Sequence, residues 1–576
     1  GELLDMLDLR EQGKGKGKRL VTRDMDVPRQ VKRTVNISAN FMCDNSGYVL
    51  GVVQKKGKPV ELAEKKFNNM RVLHESLLED IDDPGARAVL GFFSAWDPEH
   101  AEEHPVLAPV WDELMRGGNL IFKLDGTQGF VHQRPAIRKA WERAISEKSH
   151  ENTGHCLVTG EHAPVARIHD NIKGVSGANT KGADIVSFNQ KAFTSYGKEQ
   201  SINAPVSEQA AFGYVTALNY LLRSDRYRLR IGDTTTVFWA EKPAYLEEDI
   251  LAELLDPTIP MDTANKAKAS DGEGETRLRR DLQATRMVRD ALDRAAHGKS
   301  LEESIVGVDK DVRFYILGLA PNNARLSVRY WHVDTFGSLL EKIGQHYSDM
   351  AIILPPWETG SFPVWMIVNS TAPVIEGKRD GRRASPLLGG ALTRAVLMGT
   401  HYPQGMYTAL LARIRAEQEV SPVQVAMIKA CLVRGARISG SKAKEGNYTV
   451  SLNEEWTDTA YLLGRLFATL EKAQQDAASG AKLSSTIRDR YFGAASATPR
   501  SVFPVLLRLA QHHIAKAEYG GIADRQIEAI VGRLDSFPAH LNLEEQGNFV
   551  LGYYHQRQDF YRKRSPETQE MAEEGQ

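Results

Sequence analysis

The hydrophobic period of the sequence changes near Pro386, and this change divides the chain into two kinds of structure. Before it, β-rich runs such as "NLIFKLDG" and "TTTVFWAE", together with "GYVLGVV" and "ADIVSFN", alternate with helical and turn-rich segments. After it, apolar residues recur at three- and four-residue steps, as in "DTAYLLGRLFATLEKAQQDA". The pattern predicts an α+β N-terminal domain with a mixed β-sheet over residues 1–375 and an all-α C-terminal helical bundle over residues 376–576.

Within the first part, the stretch "VRFYILGLAPNNARLSVRYW" places two β-rich runs on either side of Pro-Asn-Asn. Turn residues between two such runs predict a β-hairpin. The preceding residues 262–310 are polar and charged, which predicts a linker followed by a charged surface helix.

The composition excludes several classes of protein. Among 576 residues, Lys and Arg total 73 and Asp and Glu total 74, so any basic surface must be local. The three cysteines, Cys43, Cys156 and Cys431, have no CxxC spacing, which argues against a disulfide framework and favours a reducing, cytoplasmic setting. No run approaches the roughly 20 apolar residues of a membrane span, so no membrane association is expected. The opening "GELLDMLDLREQ" lacks an initiator Met and resembles the middle of a domain, so we expect further residues upstream.

The common catalytic motifs are absent from the sequence: it contains no GxxxxGK[ST], no GxGxxG after a strand, no GxSxG and no HExxH. We therefore expect a protein that is not an enzyme and that needs no cofactor. The strongest alternative is a metal-dependent nuclease or phosphohydrolase, whose imidazole, thiol and carboxylate ligands would come from His155, Cys156, His162, His169 and Asp170. Their spacing fits no standard zinc pattern, and a loop followed by a strand is the favoured explanation of these residues.

Two stretches combine cations with amides. The first, "GKGKGKRLVTRDMDVPRQVKRT", precedes Asn36, Asn40 and Asn45 and suits a phosphate backbone, although a solvated loop with turn-forming asparagines explains it too. The second runs from His169 to Ser207, where Ser207 is expected to cap a helix. Amides, lysines and Tyr196 beside a helix N-terminus favour nucleic-acid binding, with a sugar- or peptide-binding loop as the alternative.

Several of these strings together resemble the large subunit of the type I-C CRISPR surveillance complex, Cascade. They are "VKRTVNISANFMCDNSGYVLGV", "CLVTGEHAPVARIHDNIKGVSGANTKGADIVSFNQKAFTSYGKEQSINAPVSEQAAFGYVTALNYLL", "TTTVFWAE" and "LGLAPNNARLSVRYW". The resemblance runs in order over nearly the whole chain. The sequence departs from it upstream of Gly1, where a first strand is missing, and at Met42-Cys43, where a larger aromatic residue is expected.

The resemblance implies a non-catalytic subunit that recognises the protospacer-adjacent motif, helps unwind the target duplex and stabilise the R-loop, and helps recruit a helicase-nuclease. The implied partners are the backbone, guide-end and small subunits, CRISPR RNA and target double-stranded DNA. A purely architectural ribonucleoprotein subunit remains an alternative. The resemblance also implies a small-subunit-like bundle toward the C-terminus, which an internal start at Met427 or a later non-Met codon could release.

Carried onto this sequence, the resemblance gives two groups of candidate DNA-binding residues. The candidates for reading the motif are Asn36, Asn40, Asn45, Lys181, Gln190, Lys198, Gln200 and Asn203. The candidates for contacts with the backbone or the displaced strand are Lys32, Arg33, Lys173, Arg325 and Arg329.

Overall fold

The fold is taken from a computed structural model of the chain. The structure describes residues 2–12, 20–21, 25–30, 37–54, 59–148, 153–257, 282–296, 300–355, 358, 361–478, 483, 485–517 and 520–561. Of the predicted site residues, Lys32, Arg33 and Asn36 lie outside this part of the chain.

The chain forms two compact units. The first comprises Gly1–Ala166 with Ala204–Glu208, and the second comprises Arg167–Asn203 with Gln209–Gln576. The predicted fold class is confirmed, because helices with small sheets precede a helical C-terminal part. Pairing between the described strands is antiparallel, so the mixed sheet of the prediction is not found among them. The division at residue 375 falls inside the second unit and stays a prediction.

The first unit is a helical core bordered by two-stranded ladders. Phe41, Met42 and Phe93 are buried in this core. Its helices are α1 (Ser46–Val49), α2 (Glu64–Leu78), α3 (Pro84–Ala95), α4 (Trp111–Met115) and α5 (Pro135–Lys148). Its strands are β1 (Glu11–Gln12), β2 (Leu20–Val21), β3 (Cys43–Asn45), β4 (Val52–Gln54), β5 (Val60–Leu62), β6 (Asn119–Ile121), β7 (Thr153–His155) and β8 (His162–Pro164).

Two of the predicted strands are not regular strands in the structure. "GYVLGVV" begins as α1 because the Asn45 side chain accepts a hydrogen bond from the Gly47 N–H, 3.1 Å away, and caps a helical turn. Only its end forms β4. "ADIVSFN" makes isolated bridges at Ala183 and Asp184 and is otherwise irregular. In both places a local hydrogen bond or a turn overrides the β propensity of the residues.

The second unit is organised around a four-stranded antiparallel sheet with the order β12-β11-β10-β9. The strands are β9 (Arg228–Ile231), β10 (Thr234–Ala240), β11 (Arg313–Asn322) and β12 (Arg325–Thr335). The predicted hairpin is confirmed as β11 and β12, whose register shifts between Gly318 and Leu319. A separate ladder pairs β13 (Val374–Ile375) with β14 (Lys378–Arg379).

Apolar side chains project from both faces of this sheet. On one face, Phe238, Phe314 and Ile316 join the main core with the helices that follow. On the other face, Val237 and Leu319 pack against the helix α6 (Glu208–Arg223) and the segment around Ile172. The sheet therefore fixes the position of the segment 167–203, which contains most of the described candidate residues.

Helices make up most of the remaining chain, as the change in period predicts. Tyr461, Phe467 and Tyr553 are fully buried among them. The helices of this unit that follow α6 are α7 (Tyr245–Leu255), α8 (Leu282–Ala296), α9 (Leu301–Ser304), α10 (Phe336–Met350), α11 (Val364–Asn369), α12 (Leu387–Met398), α13 (Gln404–Glu417), α14 (Pro422–Ile438), α15 (Lys442–Gly446), α16 (Thr459–Ala477), α17 (Ile487–Ala495), α18 (Pro499–Ile514), α19 (Gly520–Val531) and α20 (Leu543–Phe560). Among the helices that the structure describes, none combines the length and the apolar character needed to cross a bilayer.

Candidate nucleic-acid interface

The segment 167–203, which we call the basic loop, begins as a closed hairpin-like turn. Ile172 and Ala183 exchange backbone hydrogen bonds of 2.9 Å in both directions. Gly182 has φ +96°, and a Cβ at this position would lie 2.9 Å from the Ile172 carbonyl oxygen. Only glycine fits such a close approach without strain. The turn holds Lys173 and Lys181 near its two ends.

The basic loop then docks on the tip of the β11–β12 hairpin. The Asp184 N–H donates to the Ala324 carbonyl at 3.1 Å, and the Leu326 N–H donates to the Asp184 carbonyl at 2.9 Å. The guanidinium of Arg325 donates to Asn189 Oδ1 at 2.7 Å and lies 4.5 Å from the centroid of the Phe193 ring. The structure thus brings Arg325 to the basic loop across a long sequence separation.

The tip of the basic loop is a tight turn from Ser195 to Lys198. Tyr196 has φ +53° and Gly197 has φ +71°, a pair of values that defines a type I′ turn. The side chain of Asn203 holds this turn: its Oδ1 accepts from the Ser195 N–H at 3.1 Å, and its Nδ2 donates to the carbonyls of Lys198 and Gln200 at 2.8 and 2.9 Å. Both donors of this amide are therefore used inside the loop.

The charge of the basic loop faces solvent. Its lysines are exposed, and within the described part of the chain their amines form no ion pair; they are Lys173, Lys181, Lys191 and Lys198. Gln190 and Gln200 are exposed beside them. Tyr196 is 99 % exposed, whereas Phe188 and Phe193 are half-buried, so Tyr196 is the ring in this loop that is open to a ligand.

Besides Arg325, two further predicted contact residues have partners inside the protein. Asn203 shapes the turn as described. Arg329 donates to Asp233 at 2.8 Å and joins β12 to the turn between β9 and β10. Satisfied side chains of this kind position a binding surface rather than form it.

The first unit contains the remaining described candidates. Asn40 is 5 % exposed, and its N–H donates to Asp44 Oδ2 at 2.9 Å. Asn45 caps α1. Next to them, Met42 adopts φ +60°, and its N–H donates to the buried His74 Nε2 at 3.0 Å. In this conformation the side chain of Asn40 is not presented at the surface.

The residues of the alternative metal site do not form a ligand set. His155 and His162 pair across β7 and β8 with ring centroids 5.2 Å apart. Cys156 Sγ accepts the Ser207 N–H at 3.2 Å. His169 Nδ1 lies 2.7 Å from the Tyr214 hydroxyl, and burial lowers the pKa of this imidazole. No group of three His, Cys, Asp or Glu residues suited to a metal ion occurs where the structure describes the chain.

The structure also adds residues to the candidate surface. Lys191 and Tyr196 lie in the predicted stretch but are absent from the predicted site, although exposure makes them equal candidates. Arg167 is exposed at the start of the basic loop, and its carbonyl accepts from the Ser201 hydroxyl at 2.7 Å. A basic residue two positions before His169 is the sequence signal that could have identified it.

The resulting surface offers ammonium groups, amides and one aromatic ring on a turn held by internal hydrogen bonds. Such a surface can neutralise phosphates and donate to base-edge acceptors. A comparison with curated proteins gave no match. The family described as "CRISPR-associated protein (Cas_Csd1)" matches residues 1–561. The chain therefore belongs to this family of CRISPR-associated proteins.

Proposed function

We propose that the protein is the large, non-catalytic subunit of a type I-C RNA-guided surveillance complex and that its basic loop binds the duplex flanking the target. The observation that carries the proposal is a set of exposed lysines that have no ion pair with any residue the structure describes, Lys173, Lys181, Lys191 and Lys198. The family places the chain among CRISPR-associated proteins, which work with other such proteins and with guide RNA. The more specific role rests on the sequence resemblance and on this surface.

The physical argument is electrostatic. Other cations of the same unit have partners, as in the pairs Lys242–Asp309 and Lys342–Asp334. An unpaired, solvated lysine adds little to the stability of the fold but releases counterions when it meets a phosphate. Since the chain as a whole has net charge −1, such lysines confine the affinity for DNA to one surface.

The amides supply the means of reading sequence. Gln190 is exposed just before Lys191, and Gln200 is exposed two residues after Lys198. The minor groove of DNA presents mainly acceptor atoms, which amide and ammonium donors match. We assign motif reading to Lys198, Gln200 and Gln190, and phosphate contacts to Lys173, Lys181 and Arg325. Strand separation, R-loop stabilisation and recruitment of the helicase-nuclease are the remaining parts of the proposed role.

Charge reversal in the basic loop tests the proposal. The variant Lys181→Glu, Lys191→Glu, Lys198→Glu is assembled into the complex, and its affinity for the cognate target duplex is measured over a series of salt concentrations. We expect weaker binding and a smaller salt slope, by about one unit for each phosphate contact that the variant loses. Complex assembly should survive, because these side chains are exposed.

The matched control carries the same charge change elsewhere in the second unit, at the exposed Lys378, Lys442 and Lys516. It should bind the duplex like the wild type. Equal affinity of the loop variant and the wild type at physiological salt would refute the proposal. Crosslinking of the assembled complex to the duplex separates it from an architectural role, because a scaffold would leave the segment 181–203 unlabelled.

A further inference from the structure

Three aromatic side chains form a cluster on the sheet of the second unit that the proposed function does not use. Trp239 of β10, Tyr315 of β11 and Trp331 of β12 lie 5.5 to 6.0 Å apart by ring centroids. The register pairs Trp239 with Tyr315 and Leu317 with Trp331. Directly paired residues point to the same side of an antiparallel sheet, so the three rings share one face.

This face is only partly covered. Near Val237 and Leu319 it packs against α6 and the segment around Ile172. Trp331 is 48 % exposed, and Val328 and Val333 of the same strand are also exposed. Trp239 and Tyr315 are half-buried. An outer ring next to two partly buried rings gives one contiguous aromatic surface.

The charges of the strands favour a polyanion on this face. Arg313 shares the face, since it lies two residues before Tyr315 on β11. Arg228 and Arg230 of β9 also share it through their pairing with β10, but Arg228 forms an ion pair with Asp225 at 2.9 Å and Arg230 donates to the Gly232 carbonyl. Arg313 is therefore the main cation for a ligand on this face. Asp334, the carboxylate of these strands, pairs with Phe314 in the register and therefore points to the opposite face, where Lys342 binds it. The exposed acid Glu241 follows the end of β10, so on this face the absence of carboxylates holds for the strand residues alone.

The polar atoms of the cluster also favour a polyanionic ligand. In the described part of the chain, the indole N–H groups of Trp239 and Trp331 and the hydroxyl of Tyr315 have no hydrogen-bond partner, and Arg313 has no ion pair. Aromatic rings with open donors beside a guanidinium suit a ligand that has flat rings, acceptor atoms and phosphates. Unpaired nucleotides have all three.

We propose that Trp239, Tyr315 and Trp331 form a stacking platform for unpaired bases of a single-stranded nucleic acid. The platform lies on β12, the strand that begins with Arg325 at the basic loop. The six residue steps from Arg325 to Trp331 span about 20 Å of extended strand. The platform is thus a second nucleic-acid site beyond the proposed duplex contact, and it does not depend on that contact.

The test uses the full chain and a short fluorescein-labelled oligothymidine, with affinity measured by fluorescence anisotropy. Trp331→Ala should weaken binding about tenfold, the effect expected for one lost stacking partner, while Trp331→Phe should retain most of it. The matched control is Val328→Ala, an exposed residue of the same strand outside the ring cluster, and it should bind like the wild type. Glu241→Gln should bind equally or more tightly. A melting temperature for each variant shows that the fold is intact.

Two results would overturn the platform: a wild-type chain that does not bind the oligothymidine at low salt, or a folded Trp331→Ala variant that binds it normally. If that variant binds normally but fails to enter the assembled complex, the face is a protein contact instead. The basic-loop variant makes the two proposals separable. It should lose duplex binding and keep oligothymidine binding, whereas Trp331→Ala should do the reverse.

Discussion

The basic loop and the helical part of the second unit use charged side chains in opposite ways. In the basic loop, lysines are exposed and have no ion pair with a described residue. Between α10 and α14, Asp349 is 1 % exposed, and its carboxylate accepts from Arg434 Nε at 3.1 Å and from Arg437 Nη2 at 2.6 Å. Lys429 donates to the Asp349 carbonyl at 3.1 Å.

The difference shows what each group of charges can do. A buried charge is tolerated only when its partners replace the lost water, so the network around Asp349 is committed to the fold. An exposed lysine keeps its water and can exchange it for a phosphate. Substituting a charged residue should therefore have a different effect in each region. In the network around Asp349 it should reduce stability, and in the basic loop it should reduce binding.

The largest expected effect comes from breaking the buried network. Asp349→Ala leaves the cation of Arg434, 3 % exposed, without its carboxylate, and should lower the free energy of unfolding by about 3 to 5 kcal/mol. Urea denaturation followed by circular dichroism measures this loss. The control is Glu445→Ala, which removes a half-exposed partner of Arg437 and should cost at most about 1 kcal/mol. A loss of less than 1 kcal/mol for Asp349→Ala would show that the network is not structural.

Protonation tests the same network by another route. His346 contacts the Tyr402 hydroxyl at 2.8 Å, and the Tyr402 ring lies against Arg434. Burial, together with the charge of Arg434, lowers the pKa of His346 from 6.5 to about 3. As the pH falls below 6.5, the unfolded chain therefore gains a proton that the folded chain does not, and stability is lost until the pH reaches the folded pKa.

For His346 alone this loss amounts to about 2 kcal/mol between about pH 7 and about pH 5. The measurement compares urea denaturation of the wild type and of His346→Gln at both pH values. The wild type should lose about 2 kcal/mol more than the variant, since glutamine has no proton to gain. Identical losses would mean that His346 is not held neutral in the fold.

The sequence predicts the parts of this comparison that depend on periodicity and fails where distant residues meet. The C-terminal helices and the β11–β12 hairpin follow from three-residue, four-residue and alternating patterns. The pairing of Asp349 with Arg434 joins residues far apart in the chain, and nothing in either local sequence signals it. The same holds for Arg329 and Asp233 and for Arg325 and Phe193.

The basic loop shows the same limit at the level of single residues. The stretch from Ser187 to Ser207 is recognisable by its amides and lysines, but composition does not reveal which amides are free. Asn203 and Gln200 are equivalent candidates in the sequence. In the structure, the side-chain amide of Asn203 forms hydrogen bonds within the turn, whereas Gln200 is exposed.

Removing the Tyr196 ring should have a smaller effect, and that effect should be on binding. Its ring is fully exposed and its backbone has φ +53°, a conformation that costs a non-glycine residue free energy. If the ring stacks on a base, Tyr196→Ala should weaken target binding by roughly 1 to 2 kcal/mol. Tyr196→Gly removes the ring and relieves the backbone, so it should stabilise the fold slightly while binding as weakly as the alanine variant. Duplex affinity together with urea denaturation separates the two effects, and unchanged affinity in both variants would remove Tyr196 from the interface.

The smallest expected effect concerns Asn203, which separates shaping the loop from reading DNA. Asn203→Ala removes the acceptor for the Ser195 N–H and the donors to Lys198 and Gln200. Because these groups are near solvent, the loss of stability should be about 1 kcal/mol or less, with a similar loss in duplex affinity as Lys198 and Gln200 lose their fixed positions. Asn203→Asp keeps the acceptor but turns a carboxylate oxygen toward the carbonyls of Lys198 and Gln200, so it should destabilise the loop at least as much as alanine does. A role in reading bases predicts instead that Asn203→Ala changes the preferred flanking sequence. A weaker but unchanged preference across a library of flanking sequences would identify Asn203 as the residue that holds the turn.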